Sequence, residues 1–153
     1  MLPSGGVYRA GVPGALRADA ELALEIGADG KPVGYGAALE LVDVARPPED
    51  FESIVAANIW HRAFALSPLR DEPPPAHVRA GIRINGKTVD ASERRVDALE
   101  TARIASELLA AVGERLEPGD RIIAGSLVQV PVARGDEVVA DLGELGQVGV
   151  RVR

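Results

Sequence analysis

The sequence predicts an α+β fold built on a mixed, rolled β-sheet with one long and one short helix. Three observations carry this. Short apolar runs alternate with turn residues through most of the chain, a single segment has sustained helical spacing, and the apolar content of 46% includes only 3% aromatics. A core assembled from Val, Leu, Ile and Ala suits pleated sheets, where branched side chains pack well. At 153 residues the chain has the length of one domain, 1–153, large enough to bury a proper core.

Residues 20–27 alternate as a strand, and Ala28-Asp29-Gly30-Lys31-Pro32 is a turn returning into a strand over 33–44. The Pro47-Pro48-Glu49-Asp50 break precedes a short helix over 51–60 with acidic residues at its start, and 61–69 reads as a further strand. The segment DEPPPAH at 71–77 holds three prolines, which fix φ and remove donors, so it is a loop in which His77 is exposed. Alternation over 79–84 followed by Asn85-Gly86 predicts a hairpin returning through 87–89. From Arg94 to Val112 apolar positions recur at helical spacing, with Gly113 as the stop. Residues 121–124, 127–132, 137–141 and 148–152 complete the list as short strands.

Composition excludes several functions. A net charge of −6 and the lack of a basic cluster argue against nucleic-acid and membrane-surface partners. With no cysteine there are no disulfides, thiol nucleophiles or thiolate metal sites. No signal-like leader or membrane-length apolar run is present, so a cytoplasmic location is expected.

Candidate chemistry starts at ADAELALEIG. Asp19 and Glu21, two apart on a strand, project to one face while Ala20, Leu22, Leu24 and Ile26 form the other. Clustered carboxylates repel unless neutralised, and a hard cation such as Mg²⁺ or Mn²⁺ prefers such oxygen ligands. On spacing alone, solvated charges on the open face of an edge strand are the commoner reading. His61 is a proton-transfer candidate because its ordinary pKa lies near neutrality. Arg62 and Arg70 are candidates to grip a substrate carboxylate.

Residues 116–153 read LEPGDRIIAGSLVQVPVARGDEVVADLGELGQVGVRVR. This order of turns and Gly-Asp dipeptides resembles the C-terminal signature of the fumarylacetoacetate hydrolase superfamily. The resemblance is to its 2-hydroxypentadienoate hydratase and 4-oxalocrotonate decarboxylase branch, which runs GD-x-I-x-x-GSL, PV, GD-x-V-x-AD-x-G-x-LG-x-V-x-V-R. It implies a divalent cation held by Asp19, Glu21 and, in AALELVDV, Asp43, with Asp at a first position that is usually Glu in that family. Asn58 matches an Asn of the family's next helix, though Ala57 stands where Asp is usual. Ser126 matches the pocket-lining GSL turn, followed here by Val128 where Thr is frequent.

The implied function is a metal-dependent, hydratase-like lyase acting on a 2-hydroxy-2,4-dienoate or 2-oxo acid through a stabilised enolate. Asn58 and His61 would be catalytic, Ser126 and Arg62 substrate-binding, and the protein a homo-oligomer. The likeness reaches the family's C-terminal catalytic core from about Ala18 onward, and the family's N-terminal Lys-Ile-Gly motif has no counterpart in the sequence. A noncatalytic accessory subunit of a longer relative, or a biosynthetic cyclase or decarboxylase on the same fold, are the alternatives.

Overall fold

The computed structural model describes residues 1–11, 15–44, 51–56 and 58–153. In chain order the elements are β1 (Gly6–Tyr8), β2 (Leu16–Ile26), β3 (Pro32–Asp43), α1 (Phe51–Ala56), a short turn of helix (Asn58–Trp60), β4 (His61–Leu66), β5 (His77–Ile84) and β6 (Lys87–Arg95). There follow α2 (Ala98–Ala110), β7 (Arg121–Pro131), β8 (Glu137–Asp141), a 3₁₀ turn (Gly143–Leu145) and β9 (Gln147–Val152).

The strands form two sheets, one ordered β4-β3-β2-β7 and the other β1-β9-β8-β5-β6. The second is mixed because β1 runs parallel to β9 while its other pairs are antiparallel. Period two in the sequence decides which faces meet. Leu16, Ala18, Ala20, Leu22 and Leu24 of β2 share a buried cluster with Leu39 and Leu41 of β3, Ile82 of β5, Val138 of β8 and Val148, Val150 and Val152 of β9. Each fully buried aliphatic of this kind contributes about 1.5–3 kcal/mol relative to exposure, so the core holds without aromatic bulk.

The expected α+β class with one long and one short helix is what the structure has, with β1 unforeseen, His77 drawn from the expected loop into β5, and four further local differences. β2 begins at Leu16 rather than residue 20, which takes Asp19 into the strand. The expected strands 121–124 and 127–132 are one element, β7, interrupted by an irregularity in its pairing with β2. Arg94 and Arg95 continue β6 by pairing with Val78 and His77, so the helix starts only after Asp97. The Asp97 side chain accepts from the Glu100 N–H at 3.0 Å, an N-cap that satisfies one of the free donors of the first turn.

The expected stop holds: Gly113 has φ 81° and Glu114 N–H returns to the Leu109 carbonyl at 2.9 Å. The fourth difference lies at 51–60. The helix ends at Ala56, and Asn58, Ile59 and Trp60 then take φ values of 51°, 52° and 61°, a left-handed turn disfavoured above all for branched Ile59. The Pro47-Pro48 break lies outside the described residues. Among the described residues no helix is long and apolar enough to cross a membrane.

Candidate metal and substrate site

The face of the β4-β3-β2-β7 sheet turned away from the core carries the polar chemistry. Its floor is set by the β2–β3 hairpin, whose pairing runs without slip from Leu16↔Asp43 to Glu25↔Gly34. Paired residues in an antiparallel ladder share a face, so Glu40, opposite Asp19, stands beside Asp19 and Glu21. Asp19 and Glu21 of β2 are almost shut off from solvent, at 2% and 6% exposure.

Two interruptions of pairing bring the remaining groups in. Ala20 pairs with Val128 and Leu22 with Ala124, so the single residue Glu21 faces three residues of β7, namely Gly125, Ser126 and Leu127. The extra length is absorbed by left-handed backbone at Gly125 (φ 119°) and Ser126 (φ 35°), a conformation that costs a serine about 1–3 kcal/mol and that the surroundings must hold in place. The bulge turns the Ser126 N–H toward Glu21 Oε1, at 3.3 Å, and its hydroxyl donates a short hydrogen bond to Asp19 Oδ1. Beyond the bulge, Gln129 Nε2 donates to both oxygens of Asp19 at 3.0 and 3.1 Å.

On the other edge, Leu41 pairs with Ala63 but Val42 with His61, leaving Arg62 as the extra residue. The slip reverses side-chain parity, so His61 joins Phe64 on the carboxylate face, with ring centroids 5.8 Å apart. His61 Nδ1 lies 2.6 Å from Glu40 Oε1. Together these residues border an open cleft of about 550 Å³. Glu21, Glu40, Asn58, His61, Ser126 and Arg121, the last paired with Glu25 at 3.0 Å, supply its polar groups, and Ile59, Phe64 and Ile123 its apolar walls.

The electrostatics are frustrated. Burial, then the charge of Glu40, then that of Asp19 push the Glu21 carboxyl from 4.5 to about 7, opposed only by the Ser126 N–H. Among the described residues no cationic side chain draws the Glu21 carboxyl back down. The donor set of Asp19, Glu21 and Glu40 is all hard oxygen and fits a divalent cation such as Mg²⁺ or Mn²⁺. Among the described residues, no three His, Asp or Glu side chains are drawn together as a ready-made metal cluster. The hydrogen bonds give the reason: Asp19 is turned to Ser126 and Gln129, and Glu40 to His61.

Of the residues expected from the sequence, Asp19, Glu21, Ser126, Asn58 and His61 converge here. Asp43 does not. It pairs with Leu16, whose side chain enters the core, so its parity is opposite to that of Asp19 and Glu21, and it sits 3.7 Å from Arg62 Nε at the strand end. Glu40, not Asp43, shares the face of Asp19 and Glu21. Arg62 is likewise outside the cleft: it is the bulge residue, it faces Asp43, and its other donor meets the His61 carbonyl at 3.3 Å. Arg70 lies beside Glu72 and donates to the Glu144 carbonyl, also away from the cleft.

Glu40 could have been found by counting back from the turn at 27–32, which sets it opposite Asp19. Gln129 could not, because its alignment with Asp19 depends on the bulge.

No protein-family model matches the chain, and no curated protein matches its sequence. Solved structures do. A 4-oxalocrotonate decarboxylase from Pseudomonas putida G7, complexed with calcium and acetate, superposes with TM-score 0.82 at 24% identity over 99% of this chain and 65% of its own. The same enzyme complexed with magnesium and adipate gives 0.80 at 23% identity, over 99% and 66%. Fumarylpyruvate hydrolase from Pseudomonas aeruginosa, in complex with Mn²⁺ and pyruvate, gives 0.72 at 17% identity, over 99% and 72%. The chain thus spans about two thirds of the length of the decarboxylase it resembles. The chain shares the fold of these enzymes over 99% of its length and not only in its closing segment.

Proposed function

We propose that the protein is a divalent-cation-dependent enzyme, a hydratase-like lyase that acts on a 2-hydroxy-2,4-dienoate or 2-oxo acid. The observation that carries this reading is the set of three carboxylates, Asp19, Glu21 and Glu40, on one face of the sheet. They adjoin a cleft that also holds Ser126, Asn58 and His61. The structural neighbours whose contents are stated hold calcium with acetate, magnesium with adipate, and Mn²⁺ with pyruvate, each a divalent ion with a small carboxylate. This supports the ligand class without naming the reaction.

Asp19, Glu21 and Glu40 would hold the ion, which when bound supplies positive charge against which the negative charge of an enolate develops at lower cost. The protein's own groups do the rest. Ser126 spends its hydrogen on Asp19, so its hydroxyl oxygen faces the cleft as an acceptor for a protonated substrate oxygen. Asn58 brings an amide, donor and acceptor together, to the same cleft.

A carboxylate at His61 Nδ1 selects the tautomer with hydrogen on Nδ1 and leaves Nε2 free to take a proton from one substrate carbon and return it at another. Ile59, Phe64 and Ile123 wall the site with apolar surface, which limits the water that reaches a reactive dienol. Hydration, decarboxylation and carbon–carbon hydrolysis share this enolate, and the geometry favours none of them over hydration.

The test is calorimetric titration of chelator-stripped protein with Mg²⁺ and Mn²⁺, with and without oxalate as an enolate mimic. Metal binding that oxalate strengthens is the expected result. An accessory, noncatalytic subunit is the second reading, favoured by the existing engagement of Asp19 and Glu40 with protein partners. Absence of binding under both conditions would establish it over the first.

A further inference from the structure

Asp19 cannot reach as far from its strand as a glutamate would, so its usefulness as an ion ligand depends on what fixes its carboxylate. The structure assigns that role to Gln129, with Arg17 behind it: Gln129 is a positioning residue that sets the direction in which Asp19 presents its oxygens, an inference that rests on the metal-site reading above. Gln129 is the direct cross-strand partner of Asp19. Its single amide nitrogen spans the carboxylate, 3.0 Å from Oδ1 and 3.1 Å from Oδ2.

The orientation of that amide is determined by its surroundings. Arg17 Nη1 donates to Gln129 Oε1 at 3.3 Å, and a guanidinium has only donors while an ionised carboxylate has only acceptors. Turning the amide over would set donor against donor and acceptor against acceptor at once. Arg17, Gln129 and Asp19 therefore form a directed relay across β2 and β7.

The relay meets the carboxylate from the strand side. A carboxylate offers about four lone-pair sites, of which the Gln129 nitrogen and the Ser126 hydroxyl occupy three contacts. One lone-pair site is left for an ion. Partners of this kind, one step removed from an ion, commonly change metal affinity by about 10- to 100-fold when removed. Gln129 is itself exposed, so replacing it opens no cavity.

Mn²⁺ alone is the probe, titrated calorimetrically into chelator-stripped wild type, Gln129→Leu, Arg17→Leu, Asp19→Ala and the combined Gln129→Leu/Asp19→Ala protein, with thermal unfolding in chelator run on each. Gln129→Leu is expected to weaken Mn²⁺ binding about tenfold, with a smaller loss for Arg17→Leu, and to have no further effect once Asp19 is alanine. A residue that only stabilises the fold would lower the unfolding temperature and give additive losses.

Unchanged or tighter Mn²⁺ binding in Gln129→Leu overturns the assignment, because the amide would then be a bystander or a competitor for Asp19. So does an undiminished effect of Gln129→Leu in the Asp19→Ala background. If Gln129→Leu does not fold, Arg17→Leu decides alone, and wild-type affinity there overturns the relay. Wild type that binds no Mn²⁺ at all refutes the underlying metal-site reading, an outcome distinct from the other two.

Discussion

Replacing Glu21 by glutamine tests the electrostatics of the site directly. The folded protein holds the Glu21 proton more tightly than the unfolded chain does, with a carboxyl raised from 4.5 to about 7 by burial and by its acidic neighbours. The sign follows from linkage: a group whose folded pKa is raised favours the folded state below about pH 4.5, and that contribution is lost as the pH rises through about 7. The displacement corresponds to about 3 kcal/mol once the site is fully ionised.

Glutamine keeps the shape and cannot ionise. In chelator, Glu21→Gln should therefore match wild type near pH 4.5 and exceed it progressively up to pH 8, by about 3 kcal/mol, or roughly 6–12 °C in melting temperature for a domain of this size. Thermal unfolding followed by circular dichroism over a pH series in EDTA measures the difference. With Mg²⁺ at about 1,000 times its dissociation constant, a gain of about 4.1 kcal/mol, the order should reverse, because only wild type gains the ion. A melting difference independent of pH, or a glutamine variant less stable than wild type at pH 8 in EDTA, would refute the reasoning.

Other expectations follow from the same geometry. Glu40→Ala should lower Mn²⁺ affinity by at least about tenfold while Asp43→Ala leaves it near wild type, as isothermal titration would show; the opposite order would restore Asp43 as a ligand. Mg²⁺ at about 100 times its dissociation constant should raise wild-type stability by about 2.7 kcal/mol in chemical denaturation, and an unchanged midpoint would count against a folded-state site. Ser126→Ala retains the left-handed backbone but removes the donor to buried Asp19, at about 1–3 kcal/mol, whereas Ser126→Gly should lose less because glycine relieves the φ of 35°. Ile82→Ala, at a fully buried position, should cost about 2–5 kcal/mol in urea unfolding.

The sequence was most readable where period two runs unbroken. Alternation in ADAELALEI separates Asp19 and Glu21 from Leu22 and Leu24, and the structure sends the two sets to opposite faces. It was least readable where a residue is inserted without a compositional mark. The Arg62 slip does not interrupt the local pattern, and Gly125-Ser126 reads as a turn between two strands instead of a bulge within one, yet the first decides that His61 faces Glu40 and the second that Ser126 meets Asp19. Asp43 was misplaced for a related reason. A carboxylate in an apolar strand says nothing about its face until the hairpin register is counted, and that count selects Glu40. At the helix start, the apolar spacing from Val96 extends beyond the helix because tertiary pairing with His77 and Val78 keeps Arg94 and Arg95 in a strand.

The parallel pairing of β1 with β9 joins Gly6 to Val150 and Tyr8 to Val152, and its consequence is one of timing. A chain leaving the ribosome at about 5–20 residues per second presents β1 on the order of ten seconds before its partner exists. The carboxylate-bearing sheet needs nothing beyond Pro131, so it can assemble while β8 and β9, which cover its apolar side, are still unmade. During that interval only the β5–β6 hairpin is available to lie against Leu22, Leu24, Leu39 and Leu41, and the apolar surface that β8 and β9 cover stays open, the state in which sheets find wrong partners. Pairing of β9 with β1 completes that cover, so a chain released short of Val150 would leave apolar surface open to chaperones and proteases.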